Sequence, residues 1–191
     1  MNTTDADTLA AALTAVTDQH GRTLVDLSAE RPVLVLCVRH TGCTFCREAL
    51  ADLSAARNAL AEDGIGIAIV HMSPEAVAAT LCNKYGLGDV SRFADPERRV
   101  YAALALPMGG PRELLSPRVW MRGYSAAIAA GHGFGTIIGS VRQLAGAAVI
   151  FRGAVVAVQR TAMACDRLDL RQLANSAGER CGREVPERAD V

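Results

Sequence analysis

The hydrophobic pattern changes period several times along the chain, and each change predicts an element. Leu9, Ala12, Leu13 and Val16 recur at helical spacing, which predicts an amphipathic helix over 5–17. Thr23 to Leu27 alternates weakly and predicts a short strand. The run Val33-Leu34-Val35-Leu36-Cys37-Val38 follows Pro32 and predicts a strand buried on both faces. Beyond Cys43 the period becomes helical: Cys46, Ala49, Leu50, Leu53, Ala56 and Leu60 share one face, and Gly64 is a stop signal. Ile65 to Val70 predicts a second buried strand. Residues 33–70 therefore read as a strand–helix–strand unit with parallel strands.

The next segments read as helices broken by short connections. Ser73-Pro74-Glu75 predicts a helix start, with a capping hydroxyl, proline at the first helical position and an acid at the positive end. Gly86 is the matching stop. Asp95-Pro96-Glu97 repeats the start signal, and residues 90–93 read as a strand between the two helices. Pro107, Gly109, Gly110, Pro111 and Pro117 interrupt any regular pattern. Trp120 to Ala130 reads as a short helix, followed by a glycine-rich stretch over 131–139 that contains His132. Ala147 to Phe151 and Ala154 to Val158, joined by Arg152-Gly153, predict an antiparallel hairpin. Leu170, Leu173 and Ala177 give a last helix with Gly178 beyond it. The expected organisation is one domain over 1–178 and a polar tail over 179–191.

The order β-α-β, intervening helices, then β-β-α is a thioredoxin-like pattern. The expected fold class is α/β, with a central mixed sheet, helices on both faces, an N-terminal extension and an inserted helical segment. Composition agrees with a globular chain: 50% of residues are hydrophobic and 21% charged, with a formal net charge of zero. That balance favours neither nucleic acid nor a membrane surface as a partner. No basic, then apolar, leader opens the chain, and no uncharged apolar run reaches about 18 residues. The expected location is the cytoplasm, where thiols are mostly reduced. The six cysteines then read as reactive or incidental thiols rather than a disulfide scaffold.

Two of them carry the candidate chemistry. Cys43 and Cys46 form a Cys-x-x-Cys between a buried strand and a helix start. Residues three apart on a helix are neighbours, so a disulfide between the two is feasible. A cysteine at a helix N-terminus meets free N–H groups and the positive end of the dipole, and both favour the thiolate. Cys43 is thus the candidate nucleophile and Cys46 the candidate resolving thiol. The competing readings are zinc binding and a silent pair. Structural zinc calls for a second ligand pair, which Cys37, Cys82, Cys165 and Cys181 do not form by spacing. Arg39 and His40 are candidates for positive potential near the thiolate. Thr41 and Gly42 complete the supporting set, and Arg47 reads as a solvated helix residue.

The block Arg39-His40-Thr41-Gly42-Cys43-Thr44-Phe45-Cys46-Arg47-Glu48, preceded by Arg31-Pro32-Val33-Leu34-Val35, resembles the peroxiredoxin-like branch of the AhpC/TSA antioxidant family. Looser matches continue through Asp95-Pro96-Glu97-Arg98-Arg99-Val100-Tyr101, Ser116-Pro117 and Gln143-Leu144-Ala145-Gly146. The resemblance implies a thiol-dependent oxidoreductase that reduces a peroxide, a disulfide or a related small molecule. It implies no cofactor beyond the cysteine pair, and recycling by an external thiol such as thioredoxin or a low-molecular-weight thiol. A homodimer is compatible with it. Two departures stand out. In the peroxiredoxin Pro-x-x-x-Thr/Ser-x-x-Cys pattern, Arg39 occupies the proline position and Cys43 the threonine position relative to Cys46. The proline that precedes the hairpin in thioredoxins has no counterpart between residues 118 and 185. A metal-binding or redox-sensing module without turnover, and a pathway-specific redox enzyme of small-molecule biosynthesis, remain alternatives.

Overall fold

The computed structural model describes residues 3–125 and 138–184, without the side chains of 3–6 and 181–184. Its centre is a five-stranded sheet in the order β3-β2-β1-β4-β5. β1 (Val33–Cys37) lies parallel to β2 (Gly66–His71), which lies parallel to β3 (Ser91–Ala94). β4 (Gly146–Phe151) and β5 (Ala154–Arg160) form the hairpin, and β4 runs antiparallel to β1.

The apolar run of β1 is explained by what covers it. Leu34 and Leu36 point into a cluster with α3 (Thr44–Glu62) and α8 (Leu170–Glu184), which also takes Cys82 of α4 (Glu75–Lys84). Val33, Val35 and Cys37 point the other way, against α1 (Thr3–Thr14), α2 (Leu24–Leu27) and α5 (Arg99–Ala103). All five residues of β1 are fully buried. Each buried Leu or Val contributes about 2 kcal/mol relative to exposure. This is the α/β thioredoxin-like arrangement expected, with helices on both faces of a mixed sheet.

Several local expectations change. Thr23–Leu27 is not a strand. Thr23 and Asp26 form a reciprocal capping box, and the residues after Thr23 make one helical turn. Ser73 does not cap α4: Pro74 takes the cap position, and Ser73 turns its hydroxyl to His71 Nδ1 at 3.3 Å. Asp95 does serve a helix start, although from four residues upstream. Its carboxylate accepts the N–H groups of Arg99 and Val100, both at 2.9 Å. Pro111 and Pro117 begin the short helices α6 (Pro111–Leu115) and α7 (Pro117–Tyr124), where their missing N–H costs nothing. The end of the helix expected over 120–130, most of the glycine-rich stretch and His132 lie outside the described residues. α8 continues through Gly178 to Glu184, because Leu170, Leu173, Ala174 and Ala177 anchor one face of it in the core.

Candidate active site

The cysteine pair sits where β1 hands over to α3, at the carboxyl ends of the parallel strands. Val38 still pairs with β2 through its N–H to Val70 O at 3.0 Å. Tyr101, fully buried, donates its hydroxyl to Val38 O at 2.5 Å and so ties α5 to the end of β1. The chain then turns through Arg39 to Gly42, with Cys43 N–H donating to His40 O at 3.1 Å. Cys43 has extended backbone and stands as the residue before the first helical one. α3 follows because its apolar residues recur on one face, and it ends at Asp63 and Gly64, where Gly64 takes a positive φ of 71°.

Both thiols are free, with Cys43 6% exposed and Cys46 2% exposed. They differ in what surrounds them. The Cys46 thiol, hydrogen-bonded to Cys43, is the largest influence holding Cys43 down to about 6, against the opposing effect of burial. The Arg39 charge and the backbone N–H groups of Cys46 and Phe45 add to it. No fully formed capping bond reaches the Cys43 side chain, so these amides rank behind the Cys46 thiol and the Arg39 charge. Cys46 moves the opposite way: burial first, then its bond to the Cys43 sulfur, pushes its thiol well up. One thiolate and one thiol therefore share a proton-donating contact at neutral pH.

Arg39 touches both sulfurs. Its backbone N–H donates to Cys46 Sγ at 3.2 Å, and its Nη1 lies 3.7 Å from Cys43 Sγ. The side chain is only 6% exposed and donates to two further acceptors, Gln143 O through Nε and Val141 O through Nη2, each at 2.8 Å. His40 supplies no charge at neutral pH, since burial and then the Arg39 cation hold its imidazole down to about 4. Its Nδ1 is buried and has no hydrogen-bond partner among the described residues. Thr41 gives its carbonyl to Arg47 Nε at 3.3 Å, so Arg47 is a part-buried helix residue that clamps the turn rather than a solvated one. Gly42 is buried in the turn.

The remaining cysteines lie apart from this pairing. Cys37 is fully buried in β1, where desolvation and then the Asp95 charge push its thiol far up. Cys82 is buried under α4 and is pushed up to about 11, chiefly by desolvation. Cys165 packs in a small cluster with Val119, Leu144 and Ala164, against which Phe45 leans. The Cys181 side chain is outside the described residues. Among the described residues no three His, Cys, Asp or Glu side chains gather as a metal site, and no helix is long and apolar enough to cross a membrane.

Sequence reasoning missed two features of the surroundings. One is the segment over 138–144, which lies against the turn: Gly139 bridges His40, and Ile138 O accepts Thr41 N–H at 3.4 Å. A Cβ on Gly139 would stand 2.8 Å from Arg39 O, and its φ of 120° also favours glycine. The other is an apolar groove of about 400 Å³ along the first turn of α3, walled by Thr44, Phe45, Leu114, Val119, Trp120 and Tyr124. Only the bare presence of Gln143, Trp120 and glycines in the sequence signalled either.

No protein-family model and no curated protein sequence matches the chain. Solved structures do. A cysteine variant of peroxiredoxin Q from Xanthomonas campestris is 12% identical, with a TM-score of 0.58 over 92% of this chain and 95% of its own. Reduced Prx3 from Vibrio vulnificus is 18% identical, with a TM-score of 0.60 over 86% of this chain and 92% of its own. DsbF from MTB, in mixed oxidised and reduced forms, is 14% identical, with a TM-score of 0.54 over 88% and 96%. At such identities the likeness is one of fold, and the chain shares the thioredoxin-like fold of these peroxiredoxins and of DsbF.

Proposed function

We propose that this protein is a thiol-dependent oxidoreductase in which Cys43 is the nucleophile and Cys46 the resolving thiol. The observation that carries the reading is the opposite displacement of two adjacent thiols, Cys43 down to about 6 and Cys46 well up. An ionised sulfur attacks, and a protonated one waits beside it with a proton to give. In the peroxiredoxin pattern the cysteine position falls on Cys46, yet that sulfur is the more buried and is held as a thiol. The nucleophile is therefore assigned to Cys43.

With a disulfide substrate, Cys43 S⁻ attacks one sulfur, forms a mixed disulfide and expels the other half as a thiolate. Cys46, losing its proton to the leaving thiolate, then displaces the second half and closes Cys43–Cys46. With a hydroperoxide, Cys43 S⁻ takes the terminal oxygen to become a sulfenic acid, and the alkoxide takes up a proton and leaves as an alcohol. Cys46 then condenses with the sulfenic acid and releases water. Either way the pair is oxidised by two electrons, and two external thiol groups, from one thioredoxin dithiol or two molecules of a low-molecular-weight thiol, return it to the dithiol. Among the similar structures are reduced Prx3 from Vibrio vulnificus in complex with hydrogen peroxide and the Xanthomonas campestris bacterioferritin comigratory protein, studied for alkyl peroxide reduction, which supports a peroxide among the substrates. The groove beside Phe45 provides an apolar seat for an organic substituent. We place this activity in the cytoplasm, with a recycling thiol as partner and no further cofactor.

The test is turnover of hydrogen peroxide, an organic hydroperoxide and a small disulfide by the purified protein with dithiothreitol or thioredoxin as reductant. Full activity in Cys43→Ser overturns the reading, as does stoichiometric bound zinc or copper with no turnover of any of the three.

A further inference from the structure

Arg39 is a buried cation. Among the described residues no carboxylate lies within ion-pair distance of it, whereas Arg22, Arg57, Arg92, Arg122 and Arg167 each have one. Its guanidinium is held by two carbonyl oxygens of one segment, Gln143 O on Nε and Val141 O on Nη2. The planar fork then leaves Nη1 facing Cys43 Sγ. Moving either carbonyl by an ångström would swing that nitrogen off the sulfur.

What keeps the carbonyls in place is the side chain of Gln143. It is 2% exposed, and its amide nitrogen has three carbonyl oxygens around it: Pro107 O at 3.2 Å, and Leu106 O and Leu144 O at 3.3 Å each. Main-chain bonds support the same seam, with Leu144 N–H donating to Pro107 O at 3.0 Å and Gly109 N–H to Arg142 O at 2.6 Å. An apolar residue at 143 would fill the space and leave these acceptors short of a donor. We propose that Gln143 is a positioning residue for Cys43: its carboxamide anchors the 141–144 segment to the 106–107 turn, and the carbonyls of that segment fix the Arg39 guanidinium against Cys43 Sγ. Its importance for catalysis rests on Cys43 being the nucleophile, whereas the chain of contacts from residue 143 to the sulfur does not.

The titratable groups acting on Cys43 are Cys46 on its own helix and Arg39 on the preceding turn, while His40, next to Arg39, is neutral at neutral pH. The full chain and its Gln143→Met variant are alkylated with iodoacetamide across pH 4–10, and Cys43 modification is followed by peptide mass spectrometry. The midpoint for Cys43 is expected to rise by about one pH unit in the variant, in keeping with a loosened cation 4–6 Å from a thiolate. In an Arg39→Met background the same substitution is expected to give no further shift. An unchanged midpoint in folded Gln143→Met overturns the proposal, and so does an equal shift in both backgrounds. Should Gln143→Met not fold, Gln143→Asn, which keeps an amide but withdraws it by one methylene, is read by the same criteria. The readout needs no turnover, so absence of activity would sink the oxidoreductase reading and leave this one standing.

Discussion

Two neighbouring strand-to-helix junctions of this chain offer a sulfur very different surroundings. β1 passes into α3 and β2 into α4; both strands are parallel neighbours, and a histidine stands at or just beyond the end of each. At the second junction the first helical residue is Glu75. It accepts from Arg92 Nε at 2.8 Å and lies 3.3 Å from His71 Nε2, so the local cation is spent on a carboxylate. At the first junction the helix opens with Thr44, no acid is present in its first turn, and Arg39 is left to the sulfur. A helix start is common to both. An arginine with no carboxylate partner among the described residues, together with the Cys46 thiol, is what distinguishes the first.

The largest effect expected is the loss of the first junction's chemistry. Cys43→Ser should lower turnover by about a thousandfold or more in a peroxide- or disulfide-reduction assay. Cys46→Ser should retain attack and accumulate a mixed disulfide, visible by mass. Making the first junction lack its cation comes next. Arg39→Met should raise the Cys43 alkylation midpoint from near 6 by about one to two units. An unmoved midpoint would mean that the arginine is not what separates the two junctions.

A third expectation concerns stability. His40 has a folded-state value near 4, below its ordinary 6.5, so its contribution is fully present above pH 6.5 and is lost as pH falls toward 4. Urea unfolding of the wild type should therefore weaken by up to roughly 3 kcal/mol more over that window than unfolding of His40→Gln. Cys43 acts in a separate window: its value is depressed from 9.0, so its contribution is complete above that pH and disappears as pH falls through about 6. The smallest effect is at the second junction. Glu75→Gln frees Arg92 and removes an acid near Cys82, and should bring the Cys82 thiol down from about 11 by less than about one unit, measured by slow alkylation at high pH.

Where the determining interactions are local, the sequence was enough. The period change at Cys43 located strand, turn and helix, because a run buried on both faces and a one-sided helix leave different spacings. The i,i+3 relation of Cys43 and Cys46 and the helix start could be read for the same reason. The capping box at Thr23 and Asp26 was equally local, and it prevails over the weak apolar alternation that predicts a strand there. The charge state of His40 was not legible, because it depends on burial and on the neighbouring guanidinium. Nor was the contact of Gln143, whose carbonyl meets Arg39 across 104 positions of chain.

By itself, then, the sequence determined the order of elements, the two-faced burial of β1 and the placement of a cysteine pair at a helix start, all of which follow from periodicity and from chemistry within one helical turn. Only the tertiary structure decided how deeply each thiol is buried, which neighbouring cation touches them and which carbonyls hold that cation. Those properties come from desolvation and from contacts between distant segments, and they exist only once β1, the turn at 106–107 and the segment before β4 have been packed together.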